Sequence, residues 1–119
     1  MSKVIKPLKS ISLNIKGRDW SFMLLSDKQF DRLHNSEDEG GRSGITLPIS
    51  YECHFRKSDW TIVDIRHELG HILYEMSLTT SSNLTPDQVE ETMCSIIGTH
   101  SPEIILWSDR VAERFFSKE

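Results

Sequence analysis

His67, Glu68 and His71 have the residue types and the spacing to activate a water molecule. They stand in the run His67-Glu68-Leu69-Gly70-His71, the pattern H-E-x-x-H. On an α-helix, residues four apart lie one turn apart on the same face, so both imidazoles reach a common ion. Two neutral imidazole donors and an open coordination position suit Zn²⁺, which lowers the pKa of bound water to about 7. Glu68 follows the first donor and projects beside the ion, where it could hold that water and take its proton. The chemistry this predicts is hydrolysis of an amide bond, with one Zn²⁺ per chain on His67 and His71 and Glu68 as general base. The plainer alternative is a pair of surface or core histidines that bind nothing.

The motif needs a helix, and the flanking pattern supplies one. Ser58 reads as an N-cap and Asp59 as a first-turn acid, for a helix over 59–77. Ile62, Ile65, Leu69, Ile72, Leu73 and Met76 recur at helical spacing and form a stripe for the core. Val63, His67, His71 and Tyr74 fall on the adjacent face, so the histidines border the core, as a half-buried cleft requires.

A catalytic zinc site takes a third protein ligand. Thr85-Pro86-Asp87-Gln88 has the cap, first-turn proline and third-position glutamine of a helix start. The predicted helix runs to Ile97, with Gly98 ending it, and it carries Glu90 and Glu91. Glu91 follows His71 after a gap of nineteen residues. That gap holds the rest of the first helix, a loop and one turn, enough to bring Glu91 back over the His pair. Successive helical residues point about 100° apart, so one of the adjacent glutamates faces elsewhere. Glu91 is the expected ligand and Glu90 the alternative. His100 and Tyr74 are candidate donors to a developing oxyanion, against plainer roles in capping and packing. Cys94 reads as a small buried residue. His34 and His54 carry no spacing argument.

The remaining elements are strands followed by helices, the order of an α+β domain. Residues 10–16 alternate apolar and polar as a half-buried strand does, Gly17-Arg18-Asp19 is a turn, and residues 20–25 form a second strand. Ser26-Asp27 caps a short helix to Leu33. Residues 36–44 are polar and glycine-rich, a solvated loop whose acids lack calcium-ligand spacing. Residues 45–56 read as a broken strand or strand pair, with Pro48 at the interruption. A polar loop spans 78–84, and Ser101-Pro102-Glu103 opens a last helix to Phe116.

At 119 residues the chain is expected to be one domain, 1–119, with a single core. A net charge of −4 gives no support for a nucleic-acid partner. No apolar run approaches a membrane span, and no hydrophobic signal segment follows the basic residues 1–9, so a cytoplasmic protein without a membrane partner is expected. The two cysteines, Cys53 and Cys94, match no metal-knuckle spacing and are expected as free thiols.

His67-Glu68-x-x-His71 with a glutamate on the next helix resembles the gluzincin branch of zinc metallopeptidases. More narrowly, the chain resembles their very short single-domain members, the minigluzincins and small metallopeptidase-like proteins of phage genomes. The resemblance spans about 59–98 and extends more weakly into the strands. It implies a minimal zincin-like domain: a small sheet, an active-site helix, a glutamate helix and a C-terminal helix. It implies a peptide or protein substrate laid along an edge strand, for which residues 51–57 are the candidate. It also implies possible self-inhibition by a terminal segment, so a catalytically silent or regulatory zinc-binding module is the alternative to a peptidase. Counting on from Glu91, Cys94 and Ser95 occupy the positions where relatives carry small or polar residues. Ser95 stands where they often have an acid, which leaves Asp64 or Asp87 as partner for a histidine ligand.

Overall fold

The computed structural model describes residues 5–34, 43–77 and 84–118. Most of the expected acidic loop and of the loop after the first long helix lies outside these residues. The described residues form a small α+β domain with a four-stranded mixed sheet and three helices.

Strands β1 (Lys9–Ile15) and β2 (Arg18–Leu25) pair as an antiparallel hairpin. Lys16 and Gly17 make its two-residue turn, both with left-handed φ, 51° and 89°. Two positive φ values match the right-handed twist of a hairpin, which is why the turn is Lys16-Gly17 and not Gly17-Arg18-Asp19. Asn14 closes it by donating to the Asp19 carboxylate at 2.9 Å and accepting from the Gly17 amide at 3.1 Å. Leu13, Ile15, Trp20, Phe22 and Leu24 are buried on one face, as the period-two alternation requires.

Helix α1 (Asp27–His34) follows, capped by Ser26, whose hydroxyl accepts from the Gln29 amide at 3.2 Å. Strands β3 (Gly44–Leu47) and β4 (Glu52–Arg56) resolve the expected broken strand into an antiparallel pair, with Pro48 in the turn between them. The sheet order is β1-β2-β4-β3, and β4 runs parallel to β2. This corrects the expected edge strand. The segment 51–57 contains β4, which is paired on both sides; the edge strands are β1 and β3.

Helix α2 (Ile62–Ser77) starts later than the 59 expected. Thr61 is its cap: the Thr61 amide and hydroxyl donate to the Asp64 carboxylate at 2.8 and 3.1 Å, and the Asp64 amide donates back to the Thr61 hydroxyl at 3.4 Å. Ser58 and Asp59 serve Arg56 instead, accepting from its guanidinium. Arg56 also reaches Asp31 through two bonds of 2.9 and 3.0 Å, which ties α1 to β4.

Helix α3 (Pro86–Phe116) corrects the expectation of two helices. Its start is as predicted, a capping box between Thr85 and Gln88 with Pro86 at the first position. It then passes through Gly98 and Pro102 without a break. An interior proline costs about 3 kcal/mol. Both halves, however, join the same core, Ile96 on one side of Pro102 and Val111, Ala112 and Phe115 on the other. Ser101, just before the proline, donates its hydroxyl to the Ile97 carbonyl. Ile65, Leu69, Ile72 and Leu73 of α2 complete that core against the sheet. Phe30 of α1 is buried on the opposite face. Among the described residues, no helix is long and apolar enough to cross a membrane.

Candidate functional site

The cap at Thr61 sets the phase of α2, and the apolar stripe decides which side faces the core. His67 and His71 are left one turn apart on the exposed flank. Their Nε2 atoms approach to 3.1 Å, with the rings edge to face and centroids 4.7 Å apart. Two nitrogens on a tetrahedral zinc, each at about 2.0–2.1 Å, lie about 3.3 Å apart. The observed separation therefore fits two donors to one ion after a shift of a few tenths of an ångström.

Glu68 points the other way round the helix and is only 6% exposed. Its Oε1 accepts a hydrogen bond of 2.7 Å from the Thr46 hydroxyl of β3. Thr46 also lies 3.6 Å from the Cys53 sulfur, and burial pushes that thiol up to about 12. Cys53 is thus held as a neutral thiol and not as a nucleophile. The other cysteine, Cys94, is exposed, against the expectation of burial.

Two clefts meet at the histidines. The first, about 570 Å³, is lined by Gly44, Thr46 and Pro48 on one side and by His67, Glu68, His71 and Glu75 on the other. The second, about 660 Å³, lies between α2 and α3 and is walled by Val63, Tyr74, Met93, Ile96, Ile97 and Ile104, with both histidines at its rim. The motif thus sits between a polar cleft under the edge strand and an apolar one between helices.

Not every expected residue joins it. Tyr74 shares the apolar cleft with the histidines. Glu91 and His100 line a separate groove with Thr92, Ser95 and Thr99. Glu91 stands on a different side of α3 from Val89, Met93, Ile96 and Ile97, which face the histidines. His100 Nδ1 is 2.8 Å from Glu103 Oε1, an i,i+3 pair on the same helix. Glu90 is exposed. Of the expected second partners for a histidine ligand, Asp64 is occupied in capping α2. Among the described residues, no group of three His, Cys, Asp or Glu side chains is arranged to hold a metal ion.

Sequence reading missed three residues. Glu75 lines the polar cleft one turn beyond His71, and the continued four-residue spacing from His67 was its signal. Thr46 bonds Glu68 from β3 and Gly44 lies beside it, a meeting of elements for which no local pattern exists.

Comparisons with family profiles, with curated proteins and with solved structures return no match for this chain.

Proposed function

We propose that this chain is a zinc-dependent peptide-bond hydrolase of minimal zincin-like build, with His67 and His71 as metal donors and Glu68 as general base. One observation carries the reading: two imidazole Nε2 atoms converge at 3.1 Å on the rim of a cleft whose wall is the buried Glu68 carboxylate. Zinc, when bound, polarises a carbonyl and acidifies water. The chain's residues supply the rest. Glu68 takes a proton from the attacking water and passes it to the leaving amine. Tyr74, on α2 with the histidines and lining the apolar cleft with them, is the candidate oxyanion donor.

The substrate is an extended peptide paired with β3. Among the described residues β3 is an edge strand, the kind that takes an added strand, and Gly44 and Thr46 line the polar cleft. Glu91 remains the proposed third donor on its sequence spacing. To reach the histidines, the first half of α3 must turn about its axis. Glu75, already in the polar cleft, competes for the same role.

The test is turnover of a peptide library by the zinc-loaded chain and by Glu68→Gln. The variant should keep its zinc and lose about 10²–10⁴-fold in rate. Zinc bound at His67 and His71 with no turnover by wild type would favour a zinc-binding regulatory module. Equal turnover by both proteins would remove Glu68 as the base.

A further inference from the structure

We propose that Thr46 is a positioning residue: its hydroxyl holds the Glu68 carboxylate at the angle from which Glu68 acts as base, so that the strand expected to bind substrate also sets the base. The inference rests on the hydrolase reading above and names a residue that reading does not use.

Three contacts carry it. The Thr46 hydroxyl donates to Glu68 Oε1 at 2.7 Å, within the short range of bonds to a carboxylate. Cys53 stands 3.6 Å behind the same hydroxyl, and a neutral thiol there donates weakly to its oxygen, leaving the hydroxyl proton for Glu68. Two residues earlier on the same inward face of β3, a Cβ added to Gly44 would come within 3.4 Å of Glu68 Cγ and 3.1 Å of the Phe55 ring. Thr46 therefore fixes the carboxylate end of Glu68, while a side chain at Gly44 would crowd the Phe55 ring and meet the Glu68 stem in ordinary contact. Glu68 sits on α2 and Thr46 on β3, 22 residues apart in sequence. Without this bond the carboxylate keeps its place in the chain but loses the partner that selects one rotamer. The opposite edge of β3, which pairs with no strand among the described residues, is the one proposed for a peptide. A peptide paired there is held in register with a strand whose own side chain grips the base.

The experiment compares wild type, Thr46→Val, Thr46→Ser and Thr46→Ala, with folding of each checked by circular dichroism. The first readout is independent of turnover. The side-chain carboxyl ¹³C resonance of Glu68, assigned through Glu68→Gln, is followed in metal-free protein. It should move in Thr46→Val and Thr46→Ala and return in Thr46→Ser. The second readout is kinetic. Thr46→Val, or Thr46→Ala if the larger side chain crowds the strand, should lose about ten-fold or more in kcat, the scale of a hydrogen bond to a charged group. KM and zinc affinity should change by less than about two-fold, and Thr46→Ser should recover most of kcat. A resonance that does not move shows no such bond in solution and overturns the inference whatever the rates. A resonance that moves while kcat stays at the wild-type value overturns it too, and leaves the hydrolase reading standing. Absence of turnover by zinc-loaded wild type sinks the hydrolase reading first and this inference with it.

Discussion

The domain holds two histidine pairs, one on each face of its sheet, and they are built for opposite ends. His34 and His54 lie on the α1 side. His54 is 1% exposed, with Nδ1 2.8 Å from His34 Nε2 and Nε2 2.9 Å from Glu52 Oε1. A carboxylate only accepts, so His54 donates through Nε2, and its Nδ1 is taken up by the bond with His34. Both of its ring nitrogens are spent, and no lone pair is left for an ion. His67 and His71 lie on the opposite side, exposed, and meet through Nε2 atoms at the rim of open clefts. Residue type is the same in both places. Burial and the number of protein partners decide that one pair is a strut and the other a candidate binding site.

The most direct way to break that contrast is metal binding. Wild type should hold about one Zn²⁺ after desalting, as a catalytic site does, and the His67→Ala/His71→Ala double variant should hold none. His34→Ala should leave zinc content unchanged. Zinc retained by the first variant, by elemental analysis, would remove this site from consideration.

Stability should show the reverse order. His54→Leu removes the buried imidazole that bonds both Glu52 and His34, a loss of about 1–3 kcal/mol. His71→Leu in metal-free protein should stay within about 0.5 kcal/mol of wild type, as exposed substitutions usually do. Urea unfolding of the two variants settles it; equal losses would mean that the histidine pairs are structurally alike.

The third donor sharpens the picture of the open pair. Glu91→Gln should weaken zinc affinity by about ten-fold or more and Glu90→Gln should have little effect. Competition with a metal chelator measures both. If Glu75→Gln shows the larger loss, the ligand lies in the polar cleft and α3 keeps the orientation described.

The smallest expected effect is at the start of α1, outside both pairs. The Ser58 hydroxyl and amide, with help from Arg56, hold the Asp27 carboxyl below its usual range. A depressed carboxylate adds stability above its unfolded pKa, near about 4, and that stability is lost as pH falls through the folded value. Wild type should therefore lose slightly more thermal stability between about pH 5 and 3 than Asp27→Asn does. Parallel melting curves would show no difference if the Asp27–Ser58 contact is absent in solution.

What the sequence by itself determined is local. The four-residue step from His67 to His71, the core stripe of α2, the capping box at Thr85 and the hairpin strands all follow from periodicity and from side-chain bonds within one turn, which the chain makes wherever it goes. Tertiary structure decided the rest. Gly98 and Pro102 are stop signals in isolation, yet α3 continues because Ile96 and Val111 belong to one core. Residues 51–57 look like any exposed strand until β2 and β3 pair with β4 from both sides and leave β3 at the edge. Cys94 is small and apolar enough for a core but falls on the outer side of its helix. The side of α3 that Glu91 occupies and the bond from Thr46 to Glu68 depend on how separate elements dock. Docking is set by the shape and burial of surfaces distant in sequence, which no window of neighbouring residues contains.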